Sequence, residues 1–192
     1  MSREELNGLL QAVNELRNLL IKSHAHWIKA GDVQVSLTLL SLKHTIVEGN
    51  EYLYNRNYSM AIDHYDQAIE IDPNNADAWN NKGIALHNLR KYKEAIGCCD
   101  MAIKINPSYA DAWNNKGVSL GKLGRYKEAI ECYDMAIKII PNLARVWNNK
   151  GNALRVLGQQ KDANRCFSNA NRLGLKPNVI RQSFLRIFRS NS

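Results

Sequence analysis

The sequence predicts an all-α protein in which pairs of antiparallel helices repeat along the chain. Three observations lead to this fold class. The sequence repeats every 34 residues, apolar residues lie three and four apart within each copy, and turn signals stand in the middle and at the end of each copy. Such an array is a solenoid, in which each copy packs only against its neighbours.

The 34-residue period is visible by direct alignment. Residues 76–109 align on residues 110–143 without a gap, with 23 identical residues in 34 positions. A further copy begins at Leu42, 34 residues before Ala76, and another begins at Ala144, 34 residues after Ala110. The predicted array therefore comprises repeats 42–75, 76–109, 110–143 and 144–175. With positions numbered 1 to 34, the recurrent residues include those at position 4 (Thr45, Trp79, Trp113, Trp147), position 8 (Gly49, Gly83, Gly117, Gly151) and position 20 (Ala61, Ala95, Ala129, Ala163).

Each repeat is predicted to hold two helices. Ile96, Cys99 and Ile103 illustrate the spacing of one helix face. A glycine at position 8 opposite an alanine at position 20 lets the two helices approach closely, and the side chains at positions 4 and 24 fill the remaining space. Proline at position 32 ends the second helix. The break between the two helices is expected near position 15, at Arg56-Asn57, Arg90-Lys91, Gly124-Arg125 and Gly158-Gln159.

This pattern resembles the tetratricopeptide repeat, and the resemblance covers Leu42 to about Leu175. It implies a right-handed superhelical solenoid in which the first helix of each repeat lines a concave groove. Position 7 departs from the family, where it is usually leucine. Position 7 is charged in all four repeats of this chain: Glu48, Lys82, Lys116 and Lys150. We therefore expect the aliphatic part of each side chain to lie along the neighbouring helix and its charged group to extend into solvent.

Residues 1–41 are predicted to form an N-terminal helical cap. Leu6, Val13, Leu20 and Trp27 lie seven apart and give residues 3–29 one apolar seam. This seam either covers the first repeat or forms a dimerisation coil that makes a homodimer. Gly31 is expected to end the helix and Asp32 to cap a second one, which runs into the first helix of repeat one.

Residues 176–192 are predicted to form a basic C-terminal capping helix. Ile180, Phe184, Ile187 and Phe188 have helical spacing, and the segment contains no acidic residue. We interpret it as the closing helix that a repeat array needs at its end. The competing interpretation is a helix lying on a membrane surface.

The formal net charge of +8 is concentrated at one end of the chain. Residues 1–143 hold sixteen basic and seventeen acidic residues, whereas residues 144–192 hold ten basic residues and one acidic residue. This distribution points to an acidic partner segment at repeat four and disfavours a nucleic-acid partner for the protein as a whole. The alternative function is nucleic-acid or acidic-surface binding through the basic C-terminal region.

The sequence contains no motif for catalysis or for a cofactor. A phosphate loop, a His-Glu-x-x-His pair and a Gly-x-Ser-x-Gly turn are all absent, and His24 and His26 fall on different sides of a helix. Cys98, Cys132 and Cys166 share position 23 and are predicted to be small packing residues. We therefore expect a non-enzymatic protein with no catalytic residues, metal or cofactor.

The expected location is the cytoplasm. No stretch of about 18 apolar residues indicates a transmembrane segment, and the N-terminus lacks the features of a signal peptide. The four cysteines form no Cys-x-x-Cys pair, which fits reduced thiols in a cytosol.

Asparagines form the candidate binding site. In the resembling family, positions 2, 5, 6, 9, 12 and 13 commonly face the groove, which implies a ladder of asparagines along it. An amide both donates and accepts, so it can pair with a peptide backbone, although it can equally bond only to neighbouring backbone or water. The predicted peptide-binding residues are Asn50, Asn80, Asn81, Asn114, Asn115, Arg145, Asn148, Asn149, Asn152 and Arg155.

Charges at the groove are expected to select the ligand. Arg145 and Arg155 would favour acidic ligand residues at one end, while Asp77 and Asp111 would favour basic ones at the other. Chaperone-binding members of the family hold a C-terminal carboxylate with basic residues at positions 5, 2 and 6 and two asparagines. Here Ile46 stands at position 5 of repeat one and position 6 is never basic.

Only fragments of that carboxylate clamp are present, namely Asn50 with Asn81 and Asn115 with Arg145. The sequence therefore disfavours a chaperone tail as the ligand. It predicts a protein-protein interaction or scaffold module that binds a peptide segment of a partner through the asparagine ladder.

Overall fold

The structure is a computed structural model that describes residues 30–174 and, upstream, the single positions 8, 11, 12 and 15. Within residues 30–174 it contains only helices and turns, which confirms the predicted all-α class. The predicted seam in residues 3–29 and the predicted closing helix 176–192 lie outside this range. The helices are α1 (Ala30–Tyr54), α2 (Tyr58–Ile71), α3 (Ala76–Asn88), α4 (Tyr92–Ile105), α5 (Ala110–Lys122), α6 (Tyr126–Ile139), α7 (Ala144–Val156) and α8 (Gln160–Arg172).

The chain divides into two compact units. The N-terminal unit extends to Pro107 and the C-terminal unit begins at Ser108. In the N-terminal unit, α1 packs on α2, α2 on α3 and α3 on α4; in the C-terminal unit, α5 packs on α6, α6 on α7 and α7 on α8. Turns of three or four residues join the helices within each unit, so successive helices run antiparallel, as predicted.

The turn inside each repeat lies where the sequence predicts it. The residue at position 15 has a positive φ in all four repeats: 60° at Arg56, 63° at Arg90, 76° at Gly124 and 77° at Gly158. In each turn the next residue donates its N–H to a carbonyl five residues earlier, as Lys91 does to Leu86 at 2.9 Å. Glycine adopts this conformation freely, whereas each arginine there costs about 1–2 kcal/mol.

The start of α1 differs from the sequence prediction. α1 is helical from Ala30, so Gly31 and Asp32 lie in its first described turn and Asp32 does not cap it. The predicted continuation into the first helix of repeat one is confirmed, since α1 runs unbroken to Tyr54.

Small residues bring the paired helices together. The glycine at position 8 faces the side chain at position 24, so that a Cβ on Gly49 would lie 2.7 Å from the Tyr65 ring and one on Gly117 2.6 Å from the Tyr133 ring. Repeat two places Cys99 at position 24, and the space beside Gly83 is correspondingly less tight. The alanines at positions 20 and 27 are buried in all four repeats: Ala61, Ala68, Ala95, Ala102, Ala129, Ala136, Ala163 and Ala170.

Position 7 requires a correction. The ammonium groups of Lys82 and Lys150 do not extend into solvent but pair with Asp66 and Asp134 on the second helix of the preceding repeat. Lys82 also lies 5.7 Å from the centre of the Trp79 ring. An aspartate at position 25, sixteen residues before each of these lysines, is the sequence signal for the pairing.

Candidate functional site

A network of side-chain amides joins the first helices of repeats one and two. Asn50 lies on α1, and Asn80 and Asn81 lie on α3. The Asn81 Nδ2 donates to Asn50 Oδ1 at 3.1 Å, and the Asn80 Nδ2 donates to Asn81 Oδ1 at 3.2 Å. The structure thus brings together three of the predicted site residues.

Tyr65 on α2 fixes the orientation of this network. Its hydroxyl donates to Asn50 Oδ1 at 2.8 Å. The ring is fully buried, and burial raises the pKa of the Tyr65 phenol above its ordinary value, so the hydroxyl keeps its proton and remains a donor. Because Asn50 Oδ1 accepts from both Tyr65 and Asn81, its two lone pairs are used within the protein.

The exposed part of the network therefore consists mainly of donors. The side chain of Asn50 is exposed and that of Asn81 is half-buried. Each amide nitrogen carries two hydrogens, and within the described residues only one of these four, on Asn81, is used in an internal bond. Three N–H groups and one lone pair of Asn81 Oδ1 remain for a ligand, so this surface favours ligands that present hydrogen-bond acceptors.

A second network lies in the C-terminal unit. Asn149 on α7 donates to Asn114 Oδ1 on α5 at 3.0 Å, and Asn114 Nδ2 donates to Asn115 Oδ1 at 3.2 Å. Its pattern differs from the first because Val118 occupies position 9 of repeat three and cannot accept a hydrogen bond. Asn149 therefore donates to Asn114 at position 5 of the preceding repeat, whereas Asn81 donates to Asn50 at position 9 of the preceding repeat.

Two of the predicted site residues are buried. Asn80 is 3% exposed and Asn114 is 5% exposed, so the expectation that these side chains line an open groove is wrong. In repeats two and three, position 5 lies beneath the surface, and its amide donates a hydrogen bond to the side chain at position 6. Asn81, Asn115 and Asn149 stay half-buried and accessible.

The predicted charge selection is also corrected. Arg145 forms an ion pair with Asp111, which lies at the same position of the preceding repeat. Each charge therefore neutralises the other, and the pair does not divide the groove into a basic and an acidic end. Arg155 donates to Asn152 Oδ1 at 3.0 Å. The Arg155 guanidinium also lies 5.6 Å from the centre of the Phe167 ring on α8. The remaining predicted site residue, Asn148, is half-buried on α7.

Tyr65 was not among the predicted site residues, although the sequence contains a signal for it. Repeat one alone combines an asparagine at position 9 with a tyrosine at position 24; repeat four combines Asn152 with Phe167, whose ring has no hydroxyl. A buried tyrosine hydroxyl usually finds a hydrogen-bond partner, and Asn50 is the partner here.

The cysteines lie in the helix core, as predicted. Cys98, Cys99, Cys132 and Cys166 are all buried free thiols. Burial raises the pKa of the Cys98 thiol to about 11, so it is an unreactive thiol at neutral pH. Among the described residues, no group of three or more His, Cys, Asp or Glu side chains has the geometry to hold a metal ion.

A cavity of about 380 Å³ opens between α6, α7 and α8 in the C-terminal unit. Apolar and charged side chains both line it. The lining residues are Ile130, Trp147, Lys150, Leu154, Asp162, Arg165, Cys166 and Asn169. None of the helices described between residues 30 and 174 is both long enough and apolar enough to cross a membrane.

Sequence comparison connects the chain with known repeats. A family model described as "Tetratricopeptide repeat" matches residues 76–109 and 110–143, and one described as "TPR repeat" matches residues 49–89. The small glutamine-rich tetratricopeptide repeat-containing protein beta of Homo sapiens is 48% identical over 42 residues, which are 22% of this chain. The same proteins of Mus musculus and Rattus norvegicus match equally, and the alignment spans only 14% of these relatives.

Solved structures share the fold. MamA superposes with a TM-score of 0.65 at 22% identity, covering 88% of this chain and 89% of that chain. The first TPR of Spaghetti (RPAP3), bound to the HSP90 peptide SRMEEVD, has a TM-score of 0.60 at 26% identity and covers 62% of this chain and 94% of that one. The Arabidopsis OM64 TPR domain has a TM-score of 0.59 at 21% identity, with coverages of 62% and 98%.

Proposed function

This chain belongs to the tetratricopeptide repeat family, and we propose that it binds an extended peptide segment of a partner protein through the amide groups of Asn50 and Asn81. Domains of this family generally serve as protein-protein interaction modules and are typically non-enzymatic. One structural neighbour, the first TPR of Spaghetti, binds an acidic peptide. The proposal here assigns a different recognition chemistry to this chain.

The hydrogen bond from Tyr65 to Asn50 carries the proposal. It leaves the N–H groups of Asn50 and one N–H of Asn81 for the ligand. An extended peptide presents a carbonyl oxygen at every residue, and these oxygens are suitable acceptors for such donors. Recognition of this kind depends on the peptide backbone and is largely indifferent to side-chain identity.

The charged residues support a neutral backbone ligand over an acidic tail. Ile46 stands at position 5 of repeat one, where the carboxylate clamp has a base, and Arg145 is paired with Asp111. The N-terminal network therefore offers dipoles in place of full charges. In the C-terminal unit we assign the equivalent contacts to Asn115 and Asn149, both of which are accessible.

We also propose a reducing compartment such as the cytosol for this protein. All four cysteines are free thiols in the structure. Reduced thiols persist in such compartments.

Selection from a random peptide library displayed on phage tests the binding proposal. The full chain is the target, and the enriched peptides are then titrated against three variants. Asn50→Asp replaces two N–H donors by a charged acceptor, Tyr65→Phe removes the bond that orients Asn50, and Asn74→Asp introduces the same charge at an exposed turn of the same unit. We expect Asn50→Asp to weaken binding at least about tenfold and Tyr65→Phe to weaken it a few-fold, while Asn74→Asp has no effect.

Two results would contradict the proposal. Peptides that bind wild type and Asn50→Asp with equal affinity do not use the donors of this network. Failure to enrich any peptide on the folded wild-type chain would remove peptide binding altogether. Circular dichroism of each variant shows that a loss of binding is not a loss of fold.

A further inference from the structure

The outer face of α8 carries a stripe of cations. Lys161, Arg165, Ser168 and Arg172 are all exposed, and their spacing of four, three and four residues places them on one side of the helix. Arg165 has a weak ion pair with Asp162, at 3.8 Å. We call these four residues the basic stripe.

The second helix of repeat one presents the opposite charge. Met60, Asp63, Gln67 and Glu70 are all exposed on one side of α2. Neither Asp63 nor Glu70 forms an ion pair within the part of the chain that the structure describes. We call these four residues the acidic stripe. The charge contrast extends to the whole repeats, because residues 42–75 hold two bases and six acids whereas residues 144–174 hold six bases and one acid.

The two stripes match in spacing. Asp63 and Glu70 are seven residues apart, as are Arg165 and Arg172. At about 1.5 Å of rise per helical residue, both pairs are separated by about 10.5 Å along their helices. Two ion pairs can therefore form at once between two helices that lie side by side.

We propose that the basic stripe of one molecule binds the acidic stripe of a second copy of this chain. The occupant is a second copy because the complementary charges and their equal spacing are both found on this chain's own α2. The interface is heterologous, since two different surfaces meet, so one molecule can engage two others. This association is separate from peptide binding by the amide networks.

Charge reversal on each stripe tests the proposal by sedimentation velocity of the full chain. Asp63→Lys/Glu70→Lys makes both stripes basic, and Arg165→Glu/Arg172→Glu makes both acidic. Wild type is expected to show a molecular mass that rises with concentration at 20 mM NaCl and to become monomeric at 500 mM, because salt screens exposed charges. Each reversed variant alone is expected to be monomeric, with self-association weakened at least about tenfold.

Mixing the two reversed variants is the decisive step. Each then meets an oppositely charged stripe, so association is expected to return in the equimolar mixture and in the chain that carries all four substitutions.

Three outcomes would overturn the proposal. The first is a wild-type chain that stays monomeric at about 0.1 mM in low salt. The second is a mixture of folded variants that fails to associate. The third is a monomeric wild type that retards RNA in a gel while Arg165→Glu/Arg172→Glu does not, which would assign the basic stripe to nucleic acid.

Discussion

Replacing Gly49 by alanine tests how the paired helices pack and how that packing holds the candidate site. A Cβ at this position would lie 2.7 Å from Tyr65 Cε1 and 3.0 Å from Cδ1. Non-bonded carbon atoms prefer about 3.5–4.0 Å, so the overlap is about 1 Å. The Tyr65 ring is fully buried, so the surrounding core has to adjust when the ring is displaced.

The expected energy follows from two opposing effects. Alanine in a helix interior is more favourable than glycine by about 1 kcal/mol. Overpacking a core costs about 1–3 kcal/mol. We therefore expect Gly49→Ala to lower the free energy of unfolding by about 1–2 kcal/mol. Displacement of the ring also moves the Tyr65 hydroxyl away from Asn50, so peptide affinity should fall together with stability.

Gly83→Ala is the matched control, because it lies at the same position of the next repeat and in the same unit. The nearest atoms there are Ala95 O and Cys99 Sγ, both at 3.2 Å, which need to shift by only a few tenths of an ångström. The gain in helix propensity should offset this small cost, leaving stability within about 1 kcal/mol of wild type. Urea unfolding followed by circular dichroism measures both variants.

A second background isolates the clash itself. Tyr65→Cys places at position 24 the residue that Gly83 faces in repeat two. In that background the penalty for Gly49→Ala should disappear, and the interaction energy of the double-mutant cycle should equal the overlap cost of about 1–3 kcal/mol. The reasoning is refuted if Gly49→Ala is as well tolerated as Gly83→Ala in the wild-type background.

Three further predictions concern the repeat framework. Lys82→Met keeps the stem beside Trp79 but removes the ion pair with Asp66, and should cost less than about 1 kcal/mol in urea unfolding, whereas Lys82→Ala also loses the stem packing and should cost more. Arg90 has a positive φ, so Arg90→Gly should be about 1 kcal/mol more stable than Arg90→Ala; equal stability would argue against strain in this turn. Burial raises the pKa of the Cys98 thiol from 9 to about 11, so between these pH values the folded state keeps a proton that the unfolded state releases, and the free energy of unfolding falls as the pH rises. Cys98→Ala should reduce this fall by up to about 3 kcal/mol in urea unfolding at a series of pH values. An unchanged pH dependence in Cys98→Ala would contradict the assignment.

The helices and turns followed from the sequence because the repeat supplies the same information four times. In the first three repeats the proline at position 32 follows the last residue of the second helix by two residues, and in all four repeats the break at position 15 separates the two helices. The predicted start of α1 at Asp32 was two or three residues late, because this segment lies upstream of the array, where no second copy of the signal exists.

The site was harder to predict because it depends on which side chains meet across two repeats. The sequence correctly predicted that Asn50 and Asn81 lie on the first helix of their repeats. The burial of Asn80 could not be predicted from its polar side chain, because it results from the packing of α3. The Arg145–Asp111 pair joins residues 34 apart, a separation that falls outside helical spacing rules. Comparing equivalent positions between adjacent repeats would have found this pair and the pairing of Lys82 with Asp66.

A backbone ester scan of a library-selected peptide tests the central claim most directly, namely that the network of Asn50, Asn81 and Tyr65 binds main-chain carbonyl oxygens. Replacing one peptide amide by an ester weakens that carbonyl as an acceptor, removes the N–H of the same bond and leaves the side chains in place. Because Asn50 offers only donors to the ligand, a loss that disappears in Asn50→Asp is assigned to the carbonyl. Titration calorimetry with the full chain should find one or two ester positions that reduce affinity about tenfold in wild type but have no further effect in Asn50→Asp. Equal affinity for every ester peptide, with losses confined to side-chain substitutions, would contradict the account.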